Sequence, residues 1–175
     1  QYCHRRDPTR QRLGGSTIED PRRRLPGPAR AAVDALSRAV RARWMMAGRG
    51  RFEIGADFIS NGHIRLGGPG RIRIGDRCNA WARAETNVLL TFSPGAVITI
   101  GNNVRLNGAG LQAASGISVG DDCILGSCTI VDTDHHPVGV NRRTSGEMPL
   151  SAAITIGRNV WVAGMAAVLK GVTIG

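Results

Sequence analysis

Aliphatic residues recur every six positions in the last stretch of the chain. Ile156, Val162, Val168 and Ile174 keep that spacing without a slip. The period matches neither the repeat of a helix nor the two-residue alternation of a simple strand. It predicts short strands and turns wound into a solenoid. Aliphatic-Gly pairs at Ile54-Gly55, Ile74-Gly75, Ile100-Gly101, Val119-Gly120, Ile156-Gly157 and Ile174-Gly175 carry the repeat back to Arg51. The last two pairs lie 18 residues apart, three hexads and therefore one triangular turn. The interval before them is 37 residues, so that turn carries an insertion of 19. Within the turns the predicted inward hexads include Val119, Leu125 and Val131, then Ile100 and Leu106, then Ile54, Ser60 and Leu66. Residues two before them, such as Ile117, Cys123 and Thr129, are predicted inward as well. Corners are expected at Gly101-Asn102-Asn103, Gly120-Asp121-Asp122 and Gly157-Arg158-Asn159, where positive φ is cheap for Gly and tolerable for Asn.

Upstream of Arg51 the pattern changes. Val33, Leu36, Val40 and Trp44 fall near one helical face, with Arg30, Arg38, Arg41 and Arg43 elsewhere, and Pro28 suits a first helical turn. An amphipathic helix over about 29–46 is predicted, either packed on the solenoid end or lying as a basic helix on an anionic membrane surface. Residues 1–27 are rich in Arg, Pro and Gly and are expected to form a loose basic arm. The domain plan is an arm over 1–27, a helix over 28–50 and a solenoid over 51–175 with an inserted loop at about 137–155.

Composition fits this plan. Aromatics are only 4%, which suits a narrow interior that takes Val, Ile, Leu and Ala but few rings. The net charge of +10 is unevenly placed: residues 1–51 hold 13 Arg and four acids, whereas residues 52–175 are near neutral. The charge therefore belongs to the N-terminal arm, for which weak contact with an acidic membrane surface is an open reading; no nucleic-acid partner is expected. Cys3, Cys78, Cys123 and Cys128 form no CxxC pair, and Cys123 and Cys128 read as core fillers. No apolar run is long enough to span a bilayer and no secretory leader is visible at Gln1, so a cytoplasmic location is expected. The chain stops in mid-repeat at Gly175, and further C-terminal coils are expected to be missing.

The insertion carries the candidate chemistry. His135-His136-Pro137 opens it, Arg142-Arg143 and Gly146-Glu147-Met148 follow, and the next coil reads Ile156-Gly157-Arg158-Asn159-Val160-Trp161 before Gly171-Val172-Thr173-Ile174-Gly175. A lone His-Pro means nothing, but these elements in order and at consistent spacing resemble the hexapeptide-repeat acyltransferases. The nearest resemblance is to the galactoside and maltose O-acetyltransferase subgroup. It covers roughly 51–175 and implies an all-β solenoid, a left-handed parallel β-helix with an N-terminal amphipathic helix. The hand comes from the resemblance alone, because the general crossover preference is right-handed.

The resemblance implies transfer of an acetyl group from acetyl-CoA to a hydroxyl of a sugar or polysaccharide precursor. By position His136 takes the role of general base. An imidazole suits this, since it is largely neutral near its unperturbed pKa of about 6.5 and can take a hydroxyl proton. Asn107, Glu147 and Met148 are the expected acceptor contacts, and Trp161, Ala163 and Gly164 the expected acetyl-CoA contacts, with backbone N–H near Ala163 or Gly164 as an oxyanion donor. Each has a plainer reading: Asn107 as a corner residue, Glu147 and the Arg142-Arg143 pair as solvated loop residues, Met148 as packing. Asp132 and Asp134 read as solvated loop acids. No Cys or Ser beside the histidines offers itself as nucleophile, so direct transfer is expected. A homotrimer is implied, with sites between subunits, and no metal is expected. A zinc enzyme would need three histidine ligands, and the body offers only His63, His135 and His136. A non-catalytic β-helix scaffold is the remaining alternative.

Overall fold

In the computed structural model, residues 20–144 and 146–175 are described. Sixteen short strands wind into a parallel solenoid of three sheets. The first face stacks six strands, Phe52–Ile54, Arg71–Ile74, Val97–Ile100, Gly116–Val119, Ile154–Ile156 and Thr173–Ile174. The second and third faces stack five each. About six turns of parallel β-solenoid with one helix in front match the β-solenoid expected from the sequence.

Stacking in register builds the core. On the first face Ile54, Ile74, Ile100, Val119, Ile156 and Ile174 form one column, and Phe52, Ile72, Ile98, Ile117 and Ile154 a second. On the third face Leu66, Leu89, Leu111, Ile130 and Val168 lie over one another. That last column corrects the hexad reading. Ile130 is the fully buried member, and Thr129 faces solvent. The step from Leu125 to Ile130 is five residues, as is the step from Leu106 to Leu111, because the second corner is one residue tighter in these coils. Cys78, Cys123 and Cys128 are buried and unpaired, as core fillers should be, while Cys3 lies outside the described residues.

The corners also differ from expectation. In Gly101-Asn102-Asn103 and Gly120-Asp121-Asp122 the third residue, not the glycine, takes positive φ, with Asn103 at 54° and Asp122 at 61°. The glycines serve close approach instead. A Cβ on Gly101 would lie 2.7 Å from the backbone of Gly120 and 2.5 Å from the Asp121 carboxylate. The middle residues form a ladder between coils: Ala56 N–H donates to Asp76, Asp76 N–H to Asn102, and Asn102 N–H to Asp121. Corner N–H groups are thus satisfied by side chains one coil further on.

The helix spans Gly27–Gly48 and closes the N-terminal end of the solenoid. Its buried side is Ser37, Val40 and Gly48, with Trp44 packed against the core; Leu36 points out, contrary to the sequence reading. Ser37 Oγ donates to the Ser60 carbonyl and accepts from the Ser60 N–H, and Arg41 Nε donates to the carbonyls of Ile54 and Gly55. The helix is therefore docked on the solenoid end. No helix among the described residues is long and apolar enough to cross a membrane. The arm assigned to 1–27 lies outside the described residues through position 19. Its remainder is docked: Pro21–Arg24 forms a short 3-10 helix, and Arg22 bridges Asp20 and Asp34 at 2.9 Å each.

Gly101→Ala should lower stability by about 1–3 kcal/mol, the usual cost of forcing atoms into a filled site. Gly95→Ala, where an added Cβ meets nothing within 4 Å, should leave it nearly unchanged. Urea unfolding midpoints compare the two; equal midpoints would remove close coil approach as the reason for the glycine column.

Candidate active site

The third-face strand Thr129–Val131 runs directly into the insertion, which returns to the first face at Ile154–Ile156. The stem is clasped. Thr133 and Ser151 form an antiparallel bridge, Asp134 N–H donates to the Leu150 carbonyl, and Ala152 N–H to the Asp132 carbonyl. The loop proper is thus shorter than the expected 137–155, since Ile154 already belongs to the next coil.

Asp132 and Asp134 are not solvated loop acids. Asp132 is fully buried, and its carboxylate accepts from Ala114, Ser115 and Gly116 N–H at 2.6, 2.8 and 2.6 Å. It continues the inner column of the third face and ties the insertion stem to the coil below. Asp134 is half-buried and paired at 2.8 Å with Lys170, the chain's single lysine, from the coil above. Its second oxygen is buried without a partner among the described residues. The Lys170 contact joins residues 36 positions apart through the stacking of coils and has no mark in the sequence pattern.

This stem aims the histidines. His135 takes positive φ, 60°, and its ring meets Phe92 edge-on at 5.1 Å. The chain therefore turns sharply and leaves the next ring outside. His136 is exposed, and its Nδ1 lies 3.0 Å from the Pro137 carbonyl. A carbonyl only accepts, so this contact is a hydrogen bond when Nδ1 carries the proton; in the neutral ring that leaves the lone pair on Nε2. That is the tautomer a general base requires.

Around Pro137 the insertion folds back on itself. Asp134, Pro137, Val138, Glu147, Met148 and Leu150 line a cleft of about 440 Å³. A smaller one of about 220 Å³ is lined by His136, Pro137, Arg142 and Arg143. Glu147 and Met148 are thus brought to the histidine's side of the molecule, and Met148 is largely exposed. The other expected residues lie on a different edge. Asn107 follows the second-face strand Arg105–Leu106, and Ala163 and Gly164 follow the second-face strand Trp161–Val162. All three stand at the corner between second and third faces, whereas His136 stands between third and first. Asn107 behaves as a corner residue here: its side-chain oxygen accepts from Arg83 N–H and its carbonyl from Ser127 Oγ. Trp161 points outward as expected, 74% exposed. Ala163 and Gly164 lie on the last described coil of this edge, stacked on Asn107 and Gly126 of the coils below.

The described cysteines are poor nucleophiles. Burial pushes the Cys78 and Cys128 thiols up to about 11, and burial raises Cys123 too, so none is a ready thiolate at neutral pH. Among the described residues no group of His, Cys, Asp or Glu is placed to hold a metal ion.

Comparisons with known proteins bear on this geometry. No family model matches the chain. It is similar to galactoside O-acetyltransferase of Escherichia coli (strain K12), 34% identical over 98 residues, which are 55% of this chain and 46% of that protein. The chain thus spans about half the length of the curated relative it matches. A solved structure, that of the polySia specific acetyltransferase NeuO, aligns with a TM-score of 0.43 at 18% identity over 70% of this chain and 65% of that one. The sequence match to the curated relative supports the hexapeptide-repeat acyltransferase resemblance.

Asp132→Ala should destabilise the fold by about 2–3 kcal/mol, since it strands N–H donors that are partly shielded from water. Asp132→Asn, which keeps an acceptor of the same shape, should lose less. Thermal unfolding followed by circular dichroism measures both, and equal loss would show that the charge rather than the acceptor matters.

Proposed function

We propose that this chain is the catalytic body of an acetyl-CoA-dependent O-acetyltransferase that acetylates a hydroxyl of a sugar or polysaccharide precursor. The observation that carries the reading is His136, held at the mouth of the insertion with Nδ1 committed to the Pro137 carbonyl and Nε2 free. In the proposed step Nε2 takes the proton of the acceptor hydroxyl as its oxygen attacks the thioester carbonyl. The carbonyl oxygen becomes an oxyanion, and the backbone N–H groups near Ala163 and Gly164 are its candidate donors. Collapse breaks the C–S bond, and the imidazolium returns its proton to the leaving CoA thiolate. Glu147 and Met148 wall the acceptor side, Asn107 contacts the acceptor, and Trp161 lies along the donor. A cytoplasmic site of action and a role in polysaccharide biosynthesis belong to this reading, as does weak contact of the basic N-terminal arm with an acidic membrane surface.

The same reading requires more than one copy. His136 and the Trp161 group occupy different edges of one prism, so a symmetric trimer, in which one subunit's edge faces its neighbour's, is the arrangement that joins them. A non-catalytic scaffold would have no use for a clasped insertion that exposes one nitrogen of a tautomer-fixed histidine.

His136→Ala should lower acetyl transfer by about 10²–10⁴, the usual worth of a general base, with assembly unchanged. Activity within a few-fold of the native protein would sink the assignment, and an equal loss at His135→Ala instead would move the role by one residue. Trp161→Ala should weaken acetyl-CoA binding more than acceptor binding. Mixing subunits bearing His136→Ala with subunits bearing Trp161→Ala, after unfolding and refolding together, should restore part of the activity. No restoration would place both residues in a site built by one chain.

A further inference from the structure

A second cleft of about 440 Å³ lies away from the insertion, between the N-terminal segment and the second face. Its walls come from three elements. Arg23 belongs to the short 3-10 helix, Arg30 to the first turn of the long helix, and Arg77 to the corner entering the second face. None of these guanidinium groups is hydrogen-bonded or ion-paired to a carboxylate of the described chain. The fourth arginine, Arg22, is different. It is consumed by Asp20 and Asp34, which fixes the wall. Burial pulls the Asp20 carboxyl upward, but the hydrogen bonds from Arg22 outweigh it and hold the group below its usual range. Asp20 and Asp34 are therefore already ion-paired.

The floor adds a buried polar group. Asn79 sits on the outward ladder of the second face, between Ile59 and Arg105. The docked N-terminal segment covers it, and it is only 3% exposed. Its side-chain oxygen accepts from Trp81 N–H at 3.0 Å. Its side-chain nitrogen has no acceptor among the described residues. That nitrogen can donate to a ligand oxygen at the cleft floor. Asp57, at positive φ on the adjoining corner, is the remaining carboxylate of the cleft and offers an acceptor for hydroxyls. Three planar forks, one amide donor and one hydroxyl acceptor describe a ligand with an anionic oxygen group beside hydroxyls. The volume suits a small molecule or a single sugar unit of a chain.

We infer that this arginine-lined cleft binds the phosphate or carboxylate of an acidic or phosphorylated sugar. The sugar part rests on the proposed acceptor class; the anionic part rests on the cleft alone. Arg23, Arg30 and Arg77 grip the anion, Asn79 fixes one of its oxygens, and Asp57 reads a neighbouring hydroxyl.

Isothermal titration of the full chain with a glucose phosphate, with glucuronate and with neutral glucose tests this. At least one anion should bind clearly more tightly than glucose, and the stronger of the two identifies phosphate or carboxylate as the group recognised. Arg30→Gln combined with Arg77→Gln should weaken that binding about tenfold or more, or about 1.4 kcal/mol. Arg65→Gln, on the outer side of the third face, should leave it unchanged. Both anions binding no better than glucose, or native affinity in the double variant with its fold intact by circular dichroism, would overturn the proposal. The titration is repeated on His136→Ala, where binding at this cleft should persist. Lost transfer with retained binding separates the cleft from the catalytic reading, and lost binding there would place the anion at the insertion instead.

Discussion

Everything in this molecule depends on one coil lying directly on the next. The backbones approach so closely at the first corner that Gly55, Gly75, Gly101 and Gly120 have no room for a Cβ. Side chains of the coil above satisfy the N–H groups of the coil below through Asp76, Asn102 and Asp121. With the corner fixed, the flanking strands fall into register and the aliphatic columns form without choice. The stability of such a stack is close to a sum over neighbouring coils. An interruption is tolerated only if the chain leaves and re-enters in register, and that condition shapes the insertion.

The insertion meets it with a small set of polar contacts. Asp132 uses its carboxylate to bind the coil below and its carbonyl to bind the returning strand at Ala152. Asp134 reaches the coil above through Lys170. The histidines begin immediately beyond this clasp. His135 turns the chain and packs on Phe92, and His136 is left outside with one nitrogen spent on a carbonyl and the other open. The position of the proposed base is thus set by coil stacking, and Pro137 offers its Nδ1 a carbonyl partner. One chain nevertheless holds only part of the proposed constellation, because the corner that carries Trp161, Ala163 and Gly164 is a different edge of the prism.

The repeat was legible because aliphatic spacing reports the solenoid directly: the columns of the first face were read from Ile54, Ile74, Ile100, Val119, Ile156 and Ile174 alone. His136, Glu147 and Met148 were legible as parts of one insertion. Four features are not. The slip from Val131 to Ile130 follows from a corner one residue tighter, which hydrophobicity cannot register when both residues are aliphatic. The corner glycines suggest positive φ because sequence shows residue type but not which neighbour crowds it. Asp132 and Asp134 looked solvated because an acid in a polar stretch carries no mark of burial; only the coils stacked above and below supply their partners. Leu36 faces out for a related reason, since Ser37 rather than an aliphatic residue makes the helix's contact with Ser60.

The central claim is direct acetyl transfer guided by His136, and its most direct test follows the label. The protein is incubated with acetyl-CoA carrying labelled acetyl, with and without a panel of neutral and acidic saccharides, and the protein and the sugars are analysed separately by mass spectrometry. The account predicts label on a sugar hydroxyl when an acceptor is present and no acetylated protein when it is absent. Label accumulating on a side chain of the protein, or no sugar acetylated faster than in the absence of protein, would contradict it.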